Sequence, residues 1–411
     1  MDKITLTSEQ LVAVKMVQSH QLSVLTGAAG TGKTTVIDNV LAWGRSERMP
    51  IACAAPSGKA AKRMTEATGF PARTIHSLLQ ASLDGNGRFV FSRDQSCPID
   101  YDLVILDEVS MVSNDLMASF LRAIALDTTI LLVGDPNQLP SISCGAILRD
   151  LLESGIVPHT ELTIVHRARG RIVQACNSVK DGEFYEEPRN LDMATGDNIR
   201  HIESDSPEQI LGIIRNLVSD KMGCHLFDRV WDIQVISPTN KRTVLSCESI
   251  NSVLQDSLNP VQPDTLIKGC IFRPGDKVIN TKNKTVDEGY VVNGALGTVR
   301  KITDKDLSVE FHDPEVQVRL PLKKNDLLLA YCITCHRYQG SQAPVIIVPV
   351  HSTFGFFVNR AWLYTALSRG QHMVITVGQF SAIKKAIQTK AVFERRTMLT
   401  DKIEEIYFEE V

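Results

Sequence analysis

Eight residues narrow the possible folds of this chain more than any other stretch: Gly27-Ala28-Ala29-Gly30-Thr31-Gly32-Lys33-Thr34, a G-x-x-x-x-G-K-[ST] string. It follows the short apolar run Val24-Leu25-Thr26 and leads through Thr35 into a helical pattern. Glycines there let backbone N–H groups curl round phosphate oxygens, and a helix N-terminus adds partial positive charge. In that geometry Lys33 reaches the β- and γ-phosphates, and the Thr34 hydroxyl ligates Mg²⁺. The string therefore demands strand, loop and helix in succession, and a nucleoside triphosphate such as ATP to fill it.

The neighbouring sequence supplies the rest of such a fold. Ile51 to Ala55 ends at Pro56, Leu103 to Leu106 at Asp107-Glu108, and Ile130 to Val133 at Gly134-Asp135. Apolar runs with polar C-terminal ends predict buried parallel strands, with functional loops on the rim where those strands end. Ser82 to Phe91, with its Asp-Gly and Asn-Gly turns, predicts a β-hairpin inserted on that rim. Residues 168–230 read as mainly helix and loop, and Val235 to Thr239 as a strand with a polar end. Short alternating segments in 270–322 predict a small β-barrel: Lys277 to Asn280, Gly297 to Val299 and Leu307 to Phe311. From Leu328 the α/β pattern resumes, with Val345 to Val350 and Val374 to Val377. The tail, Glu394 to Val411, has apolar residues at near-helical spacing and predicts a packed surface helix.

The chemistry follows from what stands at the strand ends. Asp107 is placed to hold Mg²⁺, and Glu108 to orient and deprotonate an attacking water. In Gly134-Asp135-Pro136-Asn137-Gln138-Leu139-Pro140 an amide, Gln138, is placed to hydrogen-bond the γ-phosphate.

Together these residues resemble superfamily 1 helicases, specifically the class containing the RecD and phage Dda helicases. Thr7-Ser8-Glu9-Gln10 resembles the Q motif, with Gln10 reading adenine. Ala55 to Ala61 resembles motif Ia, and Thr74-Ile75-His76-Ser77 the next strand-binding motif. Leu162 to Arg167 resembles motif IV, Thr334 to Ser341 motif V, and Tyr364 to Gly370 motif VI. The resemblance implies two RecA-like P-loop domains: residues 1–167, with a hairpin or pin at 81–98, and residues 168–269 with 323–411. An SH3-like β-barrel at 270–322 would interrupt the second.

It also implies roles. Arg167 and Arg369 would be arginine fingers, supplied when the second domain closes on the first. Gly340 would join Gly27 to Thr35 at the nucleotide. Ser57, Lys59, Thr74, His76, Thr334 and His336 would line a groove for single-stranded DNA. Forked duplex DNA would be the substrate, movement would run 5′ to 3′, and the protein would work as a monomer. Motif V departs from the family's usual Val-His-Lys-Ser-Gln-Gly: Arg337 keeps the charge, Tyr338 is large where Ser is usual, and Gln342 replaces an acid.

Composition sets limits. Lys plus Arg is 44 and Asp plus Glu 47, a formal charge of −3, which excludes a histone-like binder but not a local basic groove. No run of about 18 apolar residues predicts a membrane span. Nine cysteines and a start without signal-peptide features predict reduced thiols and a cytoplasmic protein. Cys332-Ile333-Thr334-Cys335-His336 fits a haem-attachment string, but the same residues read better as a strand entering motif V. The competing functional reading is a DNA-stimulated P-loop ATPase that acts as a strand-binding switch without unwinding.

Overall fold

The computed structural model describes residues 6–85, 88–164, 170–186, 191, 196–219, 226–261, 270–286, 289–312, 315–390 and 397–409. The chain divides into two units: Met1–Ala168 with Phe393–Val411, and Arg169–Val392.

The first unit contains β1 (Leu22–Gly27), β2 (Ile51–Ala55), β3 (Ala72–Thr74), the hairpin strands β4 (Ala81–Leu83) and β5 (Phe89–Phe91), β6 (Leu103–Leu106), β7 (Thr129–Gly134) and β8 (His159–Leu162). Six of them form one parallel sheet in the order β3-β2-β6-β7-β1-β8. Its centre is fully apolar because helices cover both faces. Along β6, Val104 and Leu106 point into a cluster with Ile75, Phe120 and Ile147, while Leu103 and Ile105 point into another with Val36, Ile37 and Val40. Each such side chain contributes about 1.5–3 kcal/mol by leaving water, so the strand ends are held by a rigid core. The three-residue edge strand β3 has no apolar run to announce it.

The helices of this unit are α1 (Ser8–Ser19), α2 (Lys33–Ser46), α3 (Gly58–Thr68), α4 (Ile75–Leu78), α5 (Asn114–Arg122) and α6 (Ile147–Glu153). The C-terminal helix, Leu399–Glu409, belongs here too. This corrects the expected boundary, which kept everything to residue 411 in the second domain. Leu399 and Ile403 pack on the core beside α6, and the Thr397 and Thr400 hydroxyls donate to the Asp150 carboxylate and carbonyl.

The second unit adds β9 (Ile199–Glu203), β10 (Ile233–Ser237), β11 (Lys277–Asn280), β12 (Lys284–Val286), β13 (Gly289–Val291), β14 (Leu296–Ile302), β15 (Asp306–His312), β16 (Glu315–Pro321), β17 (Leu327–Leu329), β18 (Cys332–Thr334), β19 (Ala343–Val350) and β20 (Gly370–Gly378). A parallel sheet runs β18-β10-β19-β20-β9. Its edge strand β9 falls in the stretch expected to be helix and loop. Separately, β16-β15-β14-β11-β17 form an antiparallel sheet around its own core of Val278, Val299, Leu307, Val309, Phe311 and Val318. Strand β15 alternates, with Leu307, Val309 and Phe311 inward and the residues between them outward. Among the described residues no helix is long and apolar enough to cross a membrane.

Candidate nucleotide site and strand-binding rim

Sheet register assembles the first unit's site. Thr26 pairs with Gly134, Leu106 with Ala54, and Ala55 with Thr74. Parallel strands about 4.8 Å apart therefore put the loops after β1, β2, β3, β6 and β7 on one rim. The Asp107 N–H donates to the Ala54 carbonyl at 2.9 Å, fixing the acid pair beside the Pro56-Ser57 turn.

The loop Gly27–Gly32 closes as the string requires. Gly32 caps α2 at φ 89°, a left-handed conformation, so the next N–H groups start the helix at Lys33. A Cβ on Gly27 would meet Thr31 Oγ1 at 2.6 Å and the Leu162 carbonyl at 2.8 Å. The Thr31 hydroxyl donates to Ala28 O at 2.9 Å, which holds the curl. Lys33 Nζ donates to the carbonyls of Gly27 (2.5 Å) and Ala28 (3.0 Å), so its ammonium folds back over the loop. Thr34 and Thr35 stand in the first turn of α2.

Glu108 adopts φ 54°, ψ 40°, a left-handed conformation that costs a non-glycine residue of order 1–3 kcal/mol. Its N–H donates to Asp107 Oδ1 at 2.8 Å, and its carbonyl accepts from Met111. The strain sits at the residue expected to act as base. Burial pushes the Asp107 carboxyl up, and the Glu108 carboxylate adds to this. The hydrogen bond from the Glu108 N–H and the charges of Lys33 and Arg63 hold it back. Two acids crowded with this little compensation suit a divalent cation, and the Thr34 hydroxyl and Asp107 carboxylate are hard oxygen donors of the kind Mg²⁺ takes.

Gln138 is buried, with Nε2 on Asp135 Oδ2 at 3.3 Å and Oε1 lacking a partner among the described residues. In this orientation its unused atom is an acceptor, which fits the hydrogen of a water or cation and not a phosphate oxygen. Gln10 is buried and closes a capping box: its Oε1 accepts from Thr7 N–H at 3.0 Å, and Thr7 Oγ1 accepts from Gln10 N–H at 3.3 Å. That signature, [ST]-x-x-[EQ], is legible in Thr7-Ser8-Glu9-Gln10. The charge of Arg63 near Asp107 had no local signal, because it depends on how α3 packs.

Strand-binding candidates lie on the same rim. The Ser57 and Thr74 hydroxyl oxygens accept from Ala60 and Ser77 N–H, capping α3 and α4. Lys59 lies in the first turn of α3. His76 packs on the hairpin, with ring centroids 4.6 Å from Phe89 and 5.9 Å from Phe91, and burial pushes its pKa down. Phe89 is nevertheless 56% exposed.

In the second unit, Thr334 ends β18 and His336 follows in the short helix Cys335–Tyr338. Arg369, only 2% exposed, donates through Nε to the Thr365 carbonyl at 3.1 Å and through Nη2 to Ser368 Oγ at 3.0 Å. Nη1 lies 3.5 Å from the Ser341 carbonyl, beside Gly340. It meets no carboxylate among the described residues, and its partners are all neutral oxygens. Arg167, the other expected finger, lies outside the described residues.

Comparison with known proteins gives the chain a family. A family model described as "AAA domain" matches residues 5–202, and one described as "UvrD-like helicase C-terminal domain" matches residues 329–377. The RecD subunit of the RecBCD enzyme of Mycolicibacterium smegmatis is 30% identical over 415 residues, covering 93% of this chain and 73% of that protein. This chain belongs to the RecD class of superfamily 1 helicases. The ATP-dependent RecD2 DNA helicase of Deinococcus radiodurans is 34% identical over 406 residues, or 97% of this chain. The chain spans about half, 52%, of that RecD2 protein's length. The fold is shared with Bacteroides Pif1 bound to single-stranded DNA (TM-score 0.55, 19% identity, 99% of this chain and 98% of that one). It is shared too with Pif1 of Candida albicans (TM-score 0.53, 18% identity, 98% and 100%).

Against the RecD pattern, the motif V departures find places. Tyr338 is buried. Gln342 Oε1 accepts from Gln371 Nε2 at 3.4 Å. The haem-like cysteines are core: Cys332 lies in β18 with Sγ 3.7 Å from Cys247 Sγ, and burial pushes the Cys335 thiol up to about 12. No cluster of three or more metal-ligating side chains occurs among the described residues.

Proposed function

We propose that this RecD-class chain is an ATP-driven DNA helicase that moves 5′ to 3′ on single-stranded DNA and separates forked duplexes. The observation that carries the reading is the rim of the first unit. There a left-handed Glu108 and a raised Asp107 share a sheet edge with the phosphate loop and the α3 and α4 caps. Nucleotide chemistry and strand contact thus share one rigid edge.

Each residue has a task. The Gly27–Thr35 backbone cradles phosphates, and Lys33 leaves its loop carbonyls to meet the β- and γ-phosphates. Thr34 and Asp107 would hold Mg²⁺, which would offset the negative charge of the phosphates. Glu108 orients the attacking water and takes its proton, and the unpaired Gln138 oxygen accepts that water's other hydrogen. Arg369 supplies charge to the γ-phosphate from the second unit, with Gly340 beside it, and Arg167 is assigned the same task by resemblance. Gln10 contacts adenine through Nε2. Ser57, Lys59, Thr74, His76, Thr334 and His336 contact the strand.

The antiparallel sheet of the second unit is read as the SH3-like insert, and the β4–β5 hairpin as the pin that meets the duplex junction. Monomeric action and a cytoplasmic setting belong to the same reading.

The test is ATP hydrolysis with and without single-stranded DNA, followed by unwinding of forks with a 5′ or a 3′ tail. Stimulation plus 5′-tail unwinding is expected. Stimulation without unwinding of either fork would instead favour a strand-binding switch.

A further inference from the structure

The outward face of β14–β15–β16 and the loop that follows it carry Lys301, Lys305, Arg319, Lys323 and Lys324, all exposed. Register groups them. Lys301 pairs with Ser308 and Ser308 with Arg319, which places two cations on one face, two strand spacings or ~10 Å apart. The Leu322 N–H donates to the Lys305 carbonyl at 2.9 Å, so the β14–β15 turn lies against the segment carrying Lys323 and Lys324.

None of the five makes an ion pair among the described residues, although acids are close in sequence. Glu310 is taken by Arg300, Asp326 by Lys282 and Lys284, and Asp306 accepts from the Thr303 hydroxyl. Asp304 is the exposed acid of the turn.

The loop is also built to project its lysines. Lys324 holds φ 59° and Asp326 φ 56°, left-handed conformations that cost non-glycine residues. Buried Asn325 holds the loop in place: its Nδ2 donates to the Leu322 carbonyl at 2.9 Å, its Oδ1 accepts from Leu327 N–H at 3.1 Å, and Lys284 donates to its carbonyl.

We propose that this basic end of the antiparallel sheet binds the phosphate backbone of double-stranded DNA, holding the duplex arm of a fork. Sites for unpaired strands combine cations with aromatic platforms on which bases stack. The outward residues at this end, Lys301, Asp306, Ser308 and Arg319, include no ring; the outward ring of β15, His312, stands at the other end of the strand, opposite Glu315 and 4.3 Å from Trp231 between ring centroids. Cations without rings fit a ligand that offers phosphates and keeps its bases stacked inside. The inference rests on the DNA-unwinding reading above.

The test is binding of the full chain to a blunt duplex without tails, across 50–200 mM salt. Lys305→Gln, Lys323→Gln and Lys324→Gln combined should reduce the slope of log K against log salt by about 0.9 for each phosphate no longer neutralised. Affinity for oligo(dT), and its stimulation of ATP hydrolysis, should not change. Asp304→Asn should tighten duplex binding, which keeps the proposal testable if the triple variant misfolds. An unchanged duplex slope, or an equal fall on oligo(dT), overturns the proposal. Absence of oligo(dT) stimulation in the unaltered chain would instead defeat the underlying reading.

Discussion

Both units rest on a parallel sheet, yet they load their strand ends differently. In the first, the loops after β1, β6 and β7 bring a phosphate cradle, an acid pair and a buried amide onto one rim. In the second, the chain around β18–β20 presents no glycine-rich phosphate loop. It buries a guanidinium, Arg369, among neutral acceptors. One sheet thus carries a phosphate loop and an acid pair at its strand ends, and the other carries a buried cation. The difference lies in loops, because the cores of both sheets are ordinary packing.

The largest expected effects separate the two halves of that division. Arg369→Ala should lower kcat for ATP hydrolysis by about 10³–10⁵-fold, the range for an arginine finger, while nucleotide affinity stays near normal. Arg369→Lys should not restore it, since an ammonium cannot reproduce the planar fork. Lys33→Ala should cost about 10³-fold as well, but with loss of nucleotide affinity and an unchanged melting temperature. Matching affinity losses in Lys33→Ala and Arg369→Ala would erase the distinction between the units.

Glu108→Gln sharpens the comparison within the first unit. The amide keeps the shape and removes the base, so kcat should fall about 10²–10⁴-fold with ATP and strand binding retained. Equal loss of affinity, measured by nucleotide titration, would make Glu108 a structural residue whose strain serves the fold alone.

The hairpin should matter less to hydrolysis and more to duplex separation. Removing Leu83 to Phe89 leaves every nucleotide residue in place. Each broken base pair costs on the order of 1.4 kcal/mol of stacking, about tenfold in rate per pair if fraying must do the work. DNA-stimulated hydrolysis should persist while unwinding of a 5′-tailed fork drops roughly tenfold. Unwinding at the original rate would reduce the hairpin to a surface ribbon.

Much of this division was legible in the sequence because it is local. Gly27 to Thr34, Asp107-Glu108 and the apolar runs before them announce loop, acid pair and parallel strands by short-range pattern. The features without a local signal depend on tertiary partners. Nothing in Ala72-Arg73-Thr74 marks an edge strand, which exists because β2 offers an unpaired side. The tail reads as a helix, but only the packing of Thr397, Leu399 and Ile403 assigns it to the first unit. The left-handed Glu108 and the orphaned Gln138 oxygen are likewise invisible until the chain is folded.

The smallest effect expected concerns stability, and it opposes function. Burial and the neighbouring Glu108 raise the Asp107 carboxyl pKa in the native state. An acid whose folded pKa lies above its unfolded value binds its proton more tightly when folded. The native state is therefore favoured as pH falls through the raised pKa, and at neutral pH the ionised group costs stability. Asp107→Asn removes that cost while keeping an oxygen to accept from the Glu108 N–H. The variant should melt about 2–4 °C higher than the parent at neutral pH without nucleotide, and the gap should narrow as the pH is lowered. Added Mg²⁺ and ATP should reverse the order, because the parent carboxylate then gains its cation and the amide does not. A variant that melts lower at neutral pH without ligand would mean that Asp107 is held by its neighbours rather than strained among them, and the first unit's rim would lose its claim to be built for a metal.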